Sequence, residues 1–397
     1  MANRWLMVAL LAGLTSIGPF SIDTYLPAFH AIEADLGASY LRVQQTLALY
    51  MAAFAFMTLW HGALSDSYGR RRVIMVGMAV YGLASLLCAA APSIEWLWVG
   101  RILQGFSAGA GMVVGRAVIR DLFEGPQAQR LMSQVMTLFA LAPAIAPMVG
   151  GLILAVAGWR AIFVFLALLA ALLIFAVYRH LPETLPPDRR HSLHPRVLFR
   201  GFHGVFSHSG FVLLAVALAC NFNGFFIYVL AAPKFVMGHL GLSEQGFIWL
   251  FGPTVLGMMS GATVSGRVAG RWSPRRSVLT GFAIMLTSVA VNIGYHLSQP
   301  ATLPWSALPL FIYNLGMAIA TPSLTLLALD LVPHRRGMAA SCQSFLQVGL
   351  NSVSASLVVP LLWGGPLTLA LGAGAFCALG LAAYLSSQGR LTVMPPN

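Results

Sequence analysis

Two charged residues stand where lipid-like surroundings should exclude them: Asp23, in an apolar run that begins near Trp5, and Arg101, in another. An ionisable side chain among hydrocarbon groups is costly unless it is paired or used. Burial disfavours the ionised carboxyl, which brings proton uptake by Asp23 into the reach of a proton gradient, and a guanidinium close by acts the other way. A carboxyl that loads and unloads a proton beside a tuning cation is the chemistry of a coupling site. Two plainer roles stay open: a carboxylate reaching an interface, and a static ion pair joining two helices. At 1.5 Å per helical residue, Asp23 lies roughly 13 Å inside the end of its run and Arg101 roughly 8 Å inside the start of its own, at similar depth.

The elements that must position them are membrane helices. Charged residues are 9% and hydrophobic residues 58% of 397, whereas a soluble domain carries roughly a quarter charged residues. Twelve runs are long enough to span a bilayer, at about 5–32, 43–65, 73–92, 96–119, 131–157, 159–180, 209–233, 245–269, 276–297, 304–330, 337–362 and 365–386. The expected fold is an all-α membrane protein of twelve helices. Of 23 Lys and Arg residues, eighteen fall in loops of one parity, among them Arg70, Arg71, Arg72, Arg120, Arg130, Arg189, Arg190, Arg275 and Arg276. Arg42, Arg160 and Lys234 fall in the other loops, and Arg101 and Arg116 within runs. This bias puts both termini in the cytoplasm, and it accounts for the net charge of +12 without a nucleic-acid surface. The first run is too long for a signal core and offers no cleavage site, so it reads as the first span. Cys88, Cys220, Cys342 and Cys377 lie within runs and read as packing residues.

The longest basic connection, with Pro182, Glu183, Pro186, Pro187 and Asp188, divides the chain into halves at 1–181 and 209–397, with a linker at 182–208. His191 and His194 read as solvated linker residues. Asp121-Leu122-Phe123 after the fourth run is echoed by Asp330-Leu331-Val332 after the tenth. The loop Gly62-Ala63-Leu64-Ser65-Asp66-Ser67-Tyr68-Gly69-Arg70-Arg71-Arg72 is echoed weakly at 266–276, where Gly270 replaces the Asp. That loop resembles the signature of the major facilitator superfamily between its second and third helices, with Ser67 in place of a base. Arg101-Ile102-Leu103-Gln104-Gly105 resembles the superfamily's R-x-x-Q-G motif. Pro143-Ala144-Ile145-Ala146-Pro147-Met148-Val149-Gly150-Gly151 resembles the motif of proton-coupled antiporters, with Ala146 for its usual Gly. Asp23-Thr24-Tyr25-Leu26-Pro27 is similar to the D-x-Y-L-P run of the Bcr/CflA drug-resistance exporters.

The resemblance implies two six-helix halves with the substrate between them, and a gating network of Gly62, Asp66, Gly69, Arg70 and Asp121 in which Asp66 faces the N-terminus of span eleven. A purely structural loop that also sets topology is the alternative reading of the same residues. Pro143, Pro147, Gly150 and Gly151 on span five, and Gly105, Gly109, Gly111 and Gly115 on span four, read as close-packing positions that let the halves rock. Tyr25, Gln104, Asn221, Asn223, Tyr228, Tyr313, Asn314 and Gln347 are the candidate substrate-facing residues, with helix–helix hydrogen bonding as the competing role. No enzyme chemistry, metal spacing or phosphate-cradling motif is visible, so no cofactor is expected and the drive is the proton gradient. The expected function is proton-coupled export of small amphipathic drugs, phenicol- or bicyclomycin-like, across a bacterial inner membrane by a protein active as a monomer. A metabolite exporter, for instance of an amino acid, fits the same motifs; a symporter or a non-transporting sensor fits them less well.

Overall fold

The computed structural model describes residues 4–123, 125–190 and 193–390; His191 lies outside them. Among the described residues every regular element is helical. In order these are α1 Arg4–Asp23, α2 Phe29–Leu36, α3 Tyr40–Thr58, α4 His61–Tyr68, α5 Arg70–Ala89, α6 Ile94–Leu122, α7 Gly125–His180, α8 Pro195–Phe206, α9 Ser209–Leu230, α10 Ile248–Val268, α11 Pro274–Ser298, α12 Leu308–Asp330, α13 Arg336–Val353, α14 Val359–Leu362 and α15 Pro366–Ser387. The chain forms two compact units, Met1–Pro195 and Arg196–Asn397.

The fifteen helices of the described residues make twelve crossings: three pairs join into single spans, α7 divides into two, and α8 lies outside the spans. The first span is not the continuous helix that the apolar run suggests. It stops at Asp23, passes a short turn at Leu26–Ala28 and resumes as α2, because Pro27 lacks the N–H that would bond the Asp23 carbonyl. The second span is α3 and α4 together, bent by 49°. Helix α7 has 56 residues, roughly 84 Å at 1.5 Å per residue, far more than a hydrocarbon layer of about 30 Å. It is two spans meeting at Gly158, whose φ of 76° and ψ of 175° no helix contains. The eleventh span runs from α13 through a wide turn at Ser354–Val358 into α14.

In the first unit α6 is the central helix, packed on α1, α3 and α5. Its glycines serve different neighbours: Gly105 lies against the Tyr50 backbone of α3, Gly109 against the Phe54 ring and Gly111 against the Leu14 carbonyl of α1. At the end of this unit opposite the signature loop, Arg42 pairs with Glu95 and Arg160 with Asp35. These are two of the three bases that fall in the loops of the other parity, and both are neutralised locally. In the second unit α8 lies over the start of the eleventh span, with Gly201 against Met338 and the rings of Phe206 and Phe345 6.0 Å apart.

Candidate functional site

The break in the first span delivers Asp23 to the interior. Asp23 is 4% exposed, and among the described residues its carboxyl makes no hydrogen bond or ion pair. Arg101, on the buried face of α6, is fully enclosed. Its guanidinium lies 4.9 Å from the centre of the Tyr25 ring and 4.4 Å from that of Tyr50. One nitrogen donates to Gln104 Oε1 at 2.7 Å, while Nε and the other terminal nitrogen have no hydrogen-bond partner. Gln104 Nε2 donates to Ser85 Oγ at 2.7 Å, and the Cys88 thiol reaches Gln104 Oε1 at 3.9 Å. Two aromatic faces supply much of what a buried cation requires; such contacts contribute about 2 kcal/mol or more when desolvated.

Asp23 and Arg101 are therefore not an ion pair. The Tyr50 ring lies against the Arg101 guanidinium, and its hydroxyl has no hydrogen bond of good geometry. Around this centre the Tyr25 hydroxyl meets Thr46 Oγ1 at 2.9 Å, and the Ser21 hydroxyl meets that of Tyr81 at 2.5 Å. Tyr50, Tyr81 and Ser21 were not singled out from the sequence: an aromatic on a long apolar helix has no signal that separates a cation box from ordinary core.

The span-five motif packs on the same turn. Ala146, Pro147, Gly150 and Gly151 are buried while Ile145, Met148 and Leu152 are exposed, so the motif presents one face inward and Pro143 sits half-buried beside it. The backbone of Gly150 touches that of Thr24, the residue after Asp23, and a Cβ at Gly150 would overlap the Thr24 carbonyl. The obstacle is backbone, which cannot rotate aside. Gly150→Val is expected to lower the melting temperature of the purified protein by several degrees, the effect of about 1–3 kcal/mol of overpacking. Gly294→Val, where a Cβ meets open space, is the matched control and should stay near the parent in the same thermal scan.

At the arginine-rich end the structure brings Asp66, Arg70 and Asp121 together. Arg70 Nη1 lies 2.5 Å from Asp66 Oδ1 and 2.6 Å from Ser65 Oγ, and Arg70 Nε donates to Asp121 Oδ2 at 3.2 Å. Gly69 between the two helices has φ 97°, a backbone that side-chain-bearing residues rarely adopt. Gly62, on α4, has open space where a Cβ would stand. Arg71 donates to the Tyr178 carbonyl at 2.6 Å and covers its ring. The linker also enters this cluster through Glu183 and Thr184.

The candidates in the second unit make local pairs. Asn221 Nδ2 donates to Thr321 at 3.0 Å, Asn223 Nδ2 to Asn351 Oδ1 at 2.7 Å, and Asn292 Nδ2 to the Tyr228 hydroxyl at 2.7 Å. The Tyr313 hydroxyl donates to the Asn221 carbonyl at 3.3 Å, and Asn314 Nδ2 to the Leu310 carbonyl of its own helix. Gln347 is half-buried on α13. The acceptor oxygens of Asn221, Asn223, Asn292 and Asn314 are buried without a partner.

Residues 10–355 match the Major Facilitator Superfamily. The chain belongs to that superfamily. It is 33% identical over 362 residues to the uncharacterized MFS-type transporter YdgK of Bacillus subtilis, covering 90% of this chain and 89% of the relative. It is 27% identical over 382 residues to a bicyclomycin resistance protein homolog of Haemophilus influenzae, covering 96% of each. The crystal structure of a bacterial homolog to the human lysosomal transporter Spinster, inward-facing and unoccupied, superposes with a TM-score of 0.73 at 14% identity over 99% of both chains. That likeness shows the facilitator fold of two six-helix halves.

Proposed function

We propose that this facilitator is a proton-coupled exporter of small amphipathic drugs, acting as a monomer in a bacterial inner membrane with both termini in the cytoplasm. Asp23 carries the proton and Arg101 tunes it; Asp66, Arg70 and Asp121 hold the cytoplasmic gate; and the polar groups of the second half, with Tyr25 and Gln104, meet the substrate. The observation that carries this reading is the pairing state of the buried charges. A carboxyl without a partner at a helix break, and a guanidinium enclosed by aromatic rings with two donors free, can change partners as a proton or a substrate arrives. A static ion pair has no such freedom. The unpaired amide oxygens of the second half suit neutral, hydrogen-bonding drugs, in keeping with the relative named for bicyclomycin resistance.

The test is proton release from energised inside-out vesicles on adding phenicols, a bicyclomycin-like drug, lipophilic cations and cysteine separately. Release with one or more drugs is the expected result. Release with cysteine alone reassigns the protein to metabolite export, and no release from well-folded protein overturns the drug:proton reading.

A further inference from the structure

The linker after the sixth span does more than join the halves. Leu181 is buried, its N–H closing on the Val177 carbonyl at 3.0 Å, and Pro182, Pro186 and Pro187 restrict the backbone that follows. The segment 183–185 thus leaves the helix with a restricted backbone. Glu183 Oε1 accepts from the Arg70 N–H at 2.8 Å and from the Leu185 N–H at 3.1 Å. Its other oxygen lies 4.0 Å from Arg190, which also donates to the Leu185 carbonyl. The Thr184 hydroxyl donates to Asp121 Oδ2 at 2.8 Å, the oxygen that receives Arg70 Nε. A Cβ on Gly69 would overlap the Glu183 carboxylate, which occupies the place a side chain would take.

These contacts bear on Arg70 from two directions. The Glu183 carboxylate sits on the first N–H of α5, where a helix N-terminus favours an anion, and so fixes the backbone from which the Arg70 side chain starts. Thr184 orients the Asp121 carboxylate at the other end of that side chain. Three carboxylates, Asp66, Asp121 and Glu183, then share Arg70 and Arg190. If Asp66 and Asp121 release Arg70 during transport, the linker must yield as well.

We propose that Glu183 and Thr184 are positioning residues of the signature loop, a third arm that holds Arg70 between Asp66 and Asp121 and so sets how readily the loop opens. This goes beyond the exporter reading and rests on transport only for its second readout. The first readout needs no substrate: hydrogen exchange of the purified full-length protein in lipid discs, compared peptide by peptide. Glu183→Ala is expected to speed exchange at the start of α5 by about tenfold, the loss of one charge-assisted hydrogen bond. Glu183→Gln, which keeps the shape and loses the charge, should fall between, and Thr184→Val should act in the same direction. Glu183→Asp should recover part of the protection. Peptides from α9 and α12 should not change.

The second readout is transport of a phenicol into inside-out vesicles, where Glu183→Gln should lower kcat severalfold with KM within about twofold, since no substrate contact is lost. Combined with Asp121→Asn, its effect should be non-additive. Unchanged exchange in folded Glu183→Ala overturns the proposal, and so does faster exchange spread evenly over both units, which would mean a general loss of stability. If no drug of the panel is moved by the parent protein, the exporter reading fails while the exchange result still decides this one.

Discussion

Asp23→Asn is expected to uncouple transport while leaving the binding cycle intact. Asparagine matches the protonated carboxyl in size and carries no charge, so a protein locked in that form can still exchange substrate down its gradient. In inside-out vesicles at 100 mV and one pH unit, a single proton per substrate contributes about 2.3 and 1.4 kcal/mol. Together these sustain a gradient of several hundredfold for a neutral drug, since about 1.4 kcal/mol is tenfold. The variant should take that ratio to about one and abolish proton release on drug addition. Counterflow of labelled against unlabelled drug, which needs no net driving force, should persist at a rate within about tenfold of the parent. Uphill accumulation by Asp23→Asn at the normal proton stoichiometry would sink the assignment.

That expectation depends on the carboxyl standing without a partner. A carboxylate in a formed ion pair would leave a guanidinium unpaired on substitution, at a cost of about 3–5 kcal/mol, and folding would suffer first. Asp23 makes no such pair, and Arg101 has its own aromatic enclosure. Removing the negative charge therefore orphans no group that the structure binds to it. Asp23→Asn should express and melt near the parent, so that lost coupling can be read as mechanism.

The parts of this protein written in local sequence were legible. Run length defines the spans, and Gly158 falls at the boundary between the fifth and sixth. Asp66, Arg70 and Asp121 were grouped by motif and do meet, because α4, α5 and the end of α6 are brought together by short connections. An apolar run with Pro27 inside it still reads as one continuous span; the consequence of the proline lies four residues back, at the Asp23 carbonyl. Depth placed Asp23 and Arg101 at one level, but depth does not say which way each side chain turns around its helix, and an aromatic box lies where a salt bridge was one option. From the sequence Glu183 is part of a boundary between the halves. Its partner is Arg70, 113 positions earlier, and contacts across such separations leave no periodic trace in a single chain.

Arg101 should separate stability from function more sharply than any other position. Replacing a buried charge with an apolar side chain of similar volume is often neutral for folding, since the desolvation cost disappears along with the charge. Arg101→Met keeps the packing between Tyr25 and Tyr50 and loses the cation–π contacts, and it leaves Gln104 Oε1 without its strongest donor, at roughly 1–3 kcal/mol. These effects oppose one another, so the melting temperature should move by only a few degrees. Transport should fall by about a hundredfold or more, because the cation proposed to tune Asp23 is gone. Arg101→Lys keeps a charge, but its compact ammonium cannot lie flat between two rings and donate to Gln104 at once. It should retain a fraction of the rate and shift the pH at which transport is half-maximal, whereas Met should leave no profile to shift. Tyr50→Phe, which keeps the ring and removes the hydroxyl, asks whether Tyr50 contributes only its face: an unchanged profile says yes, and a displaced one puts the hydroxyl between Asp23 and Arg101. If Arg101→Met unfolds the protein outright while Arg101→Lys transports at the parent rate with an unaltered profile, Arg101 is a packing cation and its role in coupling is refuted.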